Sequence, residues 1–188
     1  RGRLFVEGMD ALRGVDAYNG RTLWEFALPG VLHAYNADHI VGVSATGSNF
    51  CAAGDSVYVR RKGVCYRLDA ATGKVLGTFE APAHADGKKA LWGHIACENG
   101  LLFGSLIDEQ HIVRHAWRPA DMSRLFTESK TLFVMDAKTG ELKWRYDARE
   151  SIRHNAIAIG DGRVFLIDRP RALGDLLDQK AARRGVAD

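Results

Sequence analysis

Seven histidines are spread along the 188 residues: His33, His39, His84, His94, His111, His115 and His154. Two stretches among them carry residue types suited to binding, Trp92-Gly-His94 and Arg153-His154-Asn155. A guanidinium and imidazoles can bind a carboxylate or phosphate, and an indole can stack on a planar ring. Hydrogen bonding of the same residues to neighbouring loops is the simpler alternative. His111-Ile-Val-Arg-His115 has i,i+4 spacing, which on a helix would put both imidazoles on one face. A metal site needs a third ligand, none is evident, and Ile112-Val113 favours a strand, so no metal is expected there. Arg114, Trp117, Arg118 and Arg124 make that stretch basic and aromatic, as a solvated loop can be. Cys51, Cys65 and Cys97 are odd in number and widely spaced, so they read as small buried hydrophobes rather than a disulfide framework. A Cys51–Cys97 link would need Cα atoms within about 7 Å and is not expected across separate structural units.

The elements that must position these residues announce themselves by repetition. Val15-Asp-Ala-Tyr-Asn-Gly-Arg-Thr-Leu-Trp24, Leu68-Asp-Ala-Ala-Thr-Gly-Lys-Val-Leu-Gly77 and Met135-Asp-Ala-Lys-Thr-Gly-Glu-Leu-Lys-Trp144 are one phrase written three times. Each reads as a β-hairpin. Asp16, Asp69 or Asp136 bonds backbone amides across the turn, and Gly20, Gly73 or Gly140 supplies the positive φ that closes it. Before each phrase comes a Gly-led strand, and before the second and third phrases another apolar strand precedes that, so the unit is four short strands, A to D. Four-stranded antiparallel units repeated radially are β-propeller blades.

The predicted organisation is a partial propeller over residues 1–188. It has strands B–D of a blade at 1–26, a second blade at 49–79, and a third at 94–146 with an insertion at 106–129. The start of a fourth follows at 154–168, with a helical insertion at 169–188. Short helices are expected at 120–129 and 173–184, with Asp121 and Asp175 as caps. That is about three blades, whereas closed propellers use roughly four to eight, so the segment reads as an internal piece of a larger propeller. The D–A and B–C connections, which emerge on one propeller face, hold all the long insertions and all seven histidines, counting starts of strand A. Polar residues gather in exposed loops for ordinary reasons. The sharper possibility is a pocket over the central channel, lined by Trp92, His94, Arg153, His154 and Asn155. Replacing His94 or His154 is then expected to affect ligand binding more than stability.

At 46% hydrophobic, the chain can bury a distributed core. Its net charge of +3 is mild, with both signs interspersed, and no nucleic-acid partner is expected. No apolar run is long enough to span a membrane.

The phrase Asp-Ala-x-Thr-Gly-x-x-x-Trp resembles the tryptophan-docking repeat of the pyrroloquinoline quinone (PQQ)-like β-propellers. That family includes quinoprotein alcohol dehydrogenases and the lipoprotein scaffold of the bacterial outer-membrane barrel-assembly machinery. The resemblance implies that Trp24 and Trp144 pack between blades, and that the second blade, with Gly77 at this position, docks less firmly. It implies a periplasmic or extracellular setting. The expected function is a non-catalytic binding or scaffolding module, without cofactor, whose partners are the rest of the propeller and a protein or small ligand on the loop-rich face. The alternative is part of a PQQ- and Ca²⁺-dependent dehydrogenase oxidising alcohols or sugars. That chemistry needs hard oxygen ligands and an Asp base. Asp38, Asp86 and Asp108 are loop acids with no evident place in such a set, and the adjacent-cysteine pair of many quinoprotein alcohol dehydrogenases has no counterpart.

Overall fold

The computed structural model describes residues 2–8, 10–29, 49–108 and 128–170. Among them, strands form four antiparallel sheets in which sequence neighbours pair. β1 (Arg3–Gly8), β2 (Ala11–Asp16) and β3 (Thr22–Ala27) make the first. β4 (Phe50–Ala53), β5 (Ser56–Arg61), β6 (Val64–Asp69) and β7 (Val75–Glu80) make the second. β8 (Trp92–Glu98), β9 (Leu101–Ile107), β10 (Glu128–Asp136) and β11 (Leu142–Arg153) make the third. β12 (Ala158–Gly160) and β13 (Arg163–Phe165) pair in the fourth. This is β-propeller architecture, about three blades of it, as the repeated phrase led us to expect.

The hairpins follow from local chemistry. Asp69 Oδ1 accepts the N–H groups of Ala71 (3.0 Å) and Thr72 (2.8 Å), and Asp136 Oδ1 those of Lys138 (2.9 Å) and Thr139 (2.8 Å). Asp16 does the same for Tyr18 at 2.8 Å. Gly73 and Gly140, at φ +70° and +75°, close their turns by donating to the carbonyls of those aspartates. Asn99-Gly100, joining β8 to β9, has both residues at positive φ, which matches the twist of the flanking strands.

Alternation then distributes the core. In β5, Val57 and Val59 face the first sheet, in a cluster with Leu12, Trp24 and Leu68. Tyr58, between them, faces the third sheet, in a cluster with Phe79, Trp92, Leu106 and Phe133. The second sheet is covered on both sides, so β5 is buried from Ser56 to Arg60.

The two junctions are sealed differently. Trp24 is 8% exposed. Its Nε1–H donates to Ala70 O (3.1 Å), and its ring lies over Gly73, where a Cβ would come within 2.6 Å of it. At the next junction Gly77 provides no indole, and two residues divide the work. The Tyr58 hydroxyl donates to Ala137 O (2.9 Å), while the Phe79 ring covers Gly140, where a Cβ would lie 2.4 Å from Cδ1. Trp144, in the last strand of the third sheet, is 43% exposed.

Two boundaries differ from expectation. Glu128 and Ser129, read as the end of a helix, open β10, because Ser129 pairs with both Ile107 and Ile152. The rest of that helix and the one at 173–184 lie outside the described residues, as do His33, His39, His111 and His115. β11 runs on to Arg153, so Arg153 ends a fourth strand rather than leading into a first one.

Candidate functional site

The ends of β8, β9, β10 and β11 meet where the long connections leave, and a polar cluster is buried among them. Ser129 donates its hydroxyl proton to Ser105 Oγ (2.8 Å), and Ser105 Oγ also accepts the His94 backbone N–H (2.7 Å). His154 Nε2 lies 2.7 Å from Ser129 Oγ. Ser129 and the His154 ring are thus hydrogen-bonded, the donor being set by the imidazole tautomer. Gly93 fills the middle: a Cβ there would stand 2.6 Å from Ser105 Oγ, 2.7 Å from His154 Nε2 and 2.8 Å from Ser129 Oγ. A serine and a histidine at this distance have the spacing of a nucleophile and its base. Ser129 and Ser105 are fully buried and His154 is 2% exposed, and the cluster ties β8, β9 and β10 to the turn that follows β11.

Beside it, Glu128 is 1% exposed. Its carboxylate accepts Ser151 Oγ–H (2.8 Å) and Arg153 Nε–H (3.1 Å), and Arg169 Nη2 approaches to 3.7 Å. Asp168 accepts the N–H groups of Arg149 and Glu150 and the Tyr146 hydroxyl, which fastens the chain after β13 along the edge of β11. These amides hold the Asp168 carboxyl below the usual range against the opposing effect of its partial burial.

The candidate residues thus fall into distinct environments. The His94 backbone amide and the His154 ring meet around Ser105 and Ser129, whereas the His94 ring lies beside Arg60 with its buried Nε2 making no hydrogen bond among the described residues. Arg153 is bound to Glu128. Asn155 is exposed in the 3₁₀ turn His154–Ala156. Trp92 is wholly buried, edge-on to Phe133 with centroids 4.8 Å apart, so its ring has no open face for stacking. The His94 ring is pushed down to about 4, first by burial and then by the Arg60 guanidinium. Arg60 itself reaches across from the second sheet to donate to Trp92 O (3.1 Å). Ser105, Ser129, Glu128 and Arg60 were not singled out from the sequence. They sit inside or beside apolar strand runs, where nothing local separates a network member from a strand residue.

A groove of about 540 Å³ lies between residues 84–89, the start of β10 and the middle of β11. His84, Lys88, Lys89, Lys130, Arg145 and Asp147 line it. Most of its charges are already answered. Arg145 binds Asp147 through Nη2 (2.6 Å) and Ala83 O through Nη1 (3.2 Å), Lys88 binds Asp86 (2.7 Å), and Lys130 binds Glu150 O.

Residues 8–103 and 61–183 match the family model described as outer membrane protein assembly factor BamB. The chain belongs to this family of PQQ-like β-propellers. No curated protein matches it in sequence. Quinohemoprotein alcohol dehydrogenase ADHIIG from Pseudomonas putida HK5 has a similar structure, at TM-score 0.51 and 15% identity over 88% of this chain and 29% of that one. The quinohemoprotein alcohol dehydrogenase of Comamonas testosteroni matches at TM-score 0.49 and 20% identity, covering 78% and 20% of the two chains. BamB from Moraxella catarrhalis matches at 0.47 and 15%, covering 90% and 46%. The chain spans less than half the length of each, and the likeness is one of fold.

For a PQQ-like propeller, the chemical question is whether the buried cluster suits calcium and a quinone. Calcium takes six to eight oxygen ligands, several of them carboxylate. Glu128 is the buried carboxylate beside this cluster, and two guanidiniums already stand next to it. A divalent cation there would face both, and Trp92 has no ring face to offer a quinone. The cluster does not fit the cofactor. Among the described residues no group of three or more His, Cys, Asp or Glu side chains is placed to hold a metal ion, and no helix is long and apolar enough to cross a membrane.

Proposed function

We propose that this chain is a non-catalytic binding or scaffolding module of an exported, periplasmic or extracellular, propeller protein. The observation that carries the reading is the internal commitment of the polar residues where the long connections leave. His154, Ser129, Ser105 and Glu128 are buried and hydrogen-bonded to one another or to neighbouring strands. Catalytic groups must reach a substrate, whereas these groups hold strand ends in register and so shape the loops that leave them. Such a module presents loops to a protein partner on a rigid base, and connecting segments are where binding residues concentrate. Membership in the family described by an outer-membrane assembly factor agrees with a role in assembly.

The test is a titration of PQQ into the full parent protein, with and without Ca²⁺, followed by absorbance and tryptophan fluorescence. We expect no saturable binding at ~10–50 μM, well above the range for a dedicated cofactor. Saturable, calcium-dependent binding would overturn the proposal and restore the reading of a PQQ-dependent dehydrogenase.

A further inference from the structure

The three cysteines fall in one interface, which their spacing in sequence does not suggest. Cys51 pairs with Tyr58 across β4 and β5, and residues directly opposite on a sheet share a face. Tyr58 belongs to the cluster between the second and third sheets, so Cys51 looks toward the third sheet. Cys97 pairs with Leu102 across β8 and β9, and Leu102 belongs to the same cluster, so Cys97 looks toward the second. Both thiols pack against that cluster from its rim. The strands that carry them, β4 and β8, lie side by side, with Cα atoms approaching within 8 Å. They also occupy corresponding places, each three residues before the glycine of its hairpin, Gly54 or Gly100. All three thiols are free, and Cys97 is near enough to act electrostatically on Cys51, so the two face one cluster from neighbouring strands as a cross-link requires, with closure bringing their Cα atoms within about 7 Å.

We propose that Cys51 and Cys97 form a redox pair, a disulfide that closes across the junction of the second and third blades when a disulfide donor is present. Cys97 starts the reaction. It is the thiol less affected by burial, whereas burial and then the nearby Cys97 push the Cys51 thiol well up. The Cys97 thiolate attacks the donor disulfide, forming a mixed disulfide and releasing one donor thiol. Cys51 then loses its proton and attacks the Cys97 sulfur, releasing the second donor thiol. Two protein thiols give up two electrons and two protons, and one donor disulfide becomes two thiols. Cys65, fully buried beneath the same cluster on β6, stays reduced. The cross-link spans the junction that lacks the docking tryptophan, where Tyr58 and Phe79 make the seal.

The test uses the full chain, incubated with oxidised glutathione, alkylated without reduction, digested and mapped by mass spectrometry. The expected product is a Cys51–Cys97 linked peptide 2 Da lighter than the sum of its parts, with Cys65 alkylated only after unfolding. The oxidised protein should melt at a higher temperature than the reduced one, and dithiothreitol should reverse both changes. Glutathione adducts without a cross-link, a link involving Cys65, or thiols that stay reduced would each overturn the pairing. An unchanged melting temperature in the linked protein would overturn its role in holding the junction.

Discussion

Gly93 shows at the level of one residue why the buried cluster is structural. Its missing side chain is the space into which Ser105, Ser129 and His154 converge. Gly93→Ala should therefore displace at least one of them and cost about 2–3 kcal/mol in equilibrium unfolding, from overpacking and a broken buried bond together. At Gly54, where a Cβ would meet nothing, only the positive φ of 57° opposes alanine, and about 1 kcal/mol is expected. His94 gives a pH prediction. Its folded pKa, about 4, lies below the ordinary 6.5, so between those values the unfolded chain binds a proton that the folded chain refuses. Stability is complete above about pH 6.5 and falls as the pH drops toward 4, by up to about 3 kcal/mol. His94→Gln should flatten this part of a denaturation-versus-pH curve; an unaltered slope would remove His94 as its source.

Blade junctions belong to the scale of whole elements. Trp24 seals the first with a ring over Gly73 and a bond to Ala70 O, and Tyr58 with Phe79 seals the second. Trp24→Ala should cost about 3–5 kcal/mol, as for deletion of a large buried aromatic. Trp144→Ala, at 43% exposure, should stay within about 1 kcal/mol of wild type. Equal losses from the two would contradict the packing described. Tyr58→Phe keeps the ring and loses only the bond to Ala137 O, so about 1 kcal/mol is expected in urea unfolding. How much of this could be read in advance differs by kind of signal. The hairpins were legible because Asp, Gly and alternating apolar runs act locally, and their repetition identified the blades. The tyrosine–phenylalanine substitute for the docking tryptophan was not, because Tyr58 and Ala137 are 79 residues apart and meet only through packing. Glu128 and Ser129 looked helical because their partners, Arg153 for the first and Ile107 and Ile152 for the second, lie on other strands. His94 and His154 could be picked out because both fall where the connections meet the strands. The serines between them could not, because a serine in an apolar run has the same appearance whether or not it joins a network.

At the scale of the whole molecule, the described residues form two hydrophobic clusters, each between adjoining sheets, so stability is a sum over blades and junctions rather than one central core. The polar cluster matters because it fixes the strand ends from which the long connections depart. His154→Ala in the full parent protein, followed by urea unfolding, asks directly whether these residues hold the fold or wait for a ligand. Removal of the buried imidazole leaves a cavity and strands the Ser129 hydroxyl, and a loss of about 2–4 kcal/mol is expected. Stability equal to wild type would contradict the structural role assigned to the cluster and return His154 to the list of candidate ligand-binding residues.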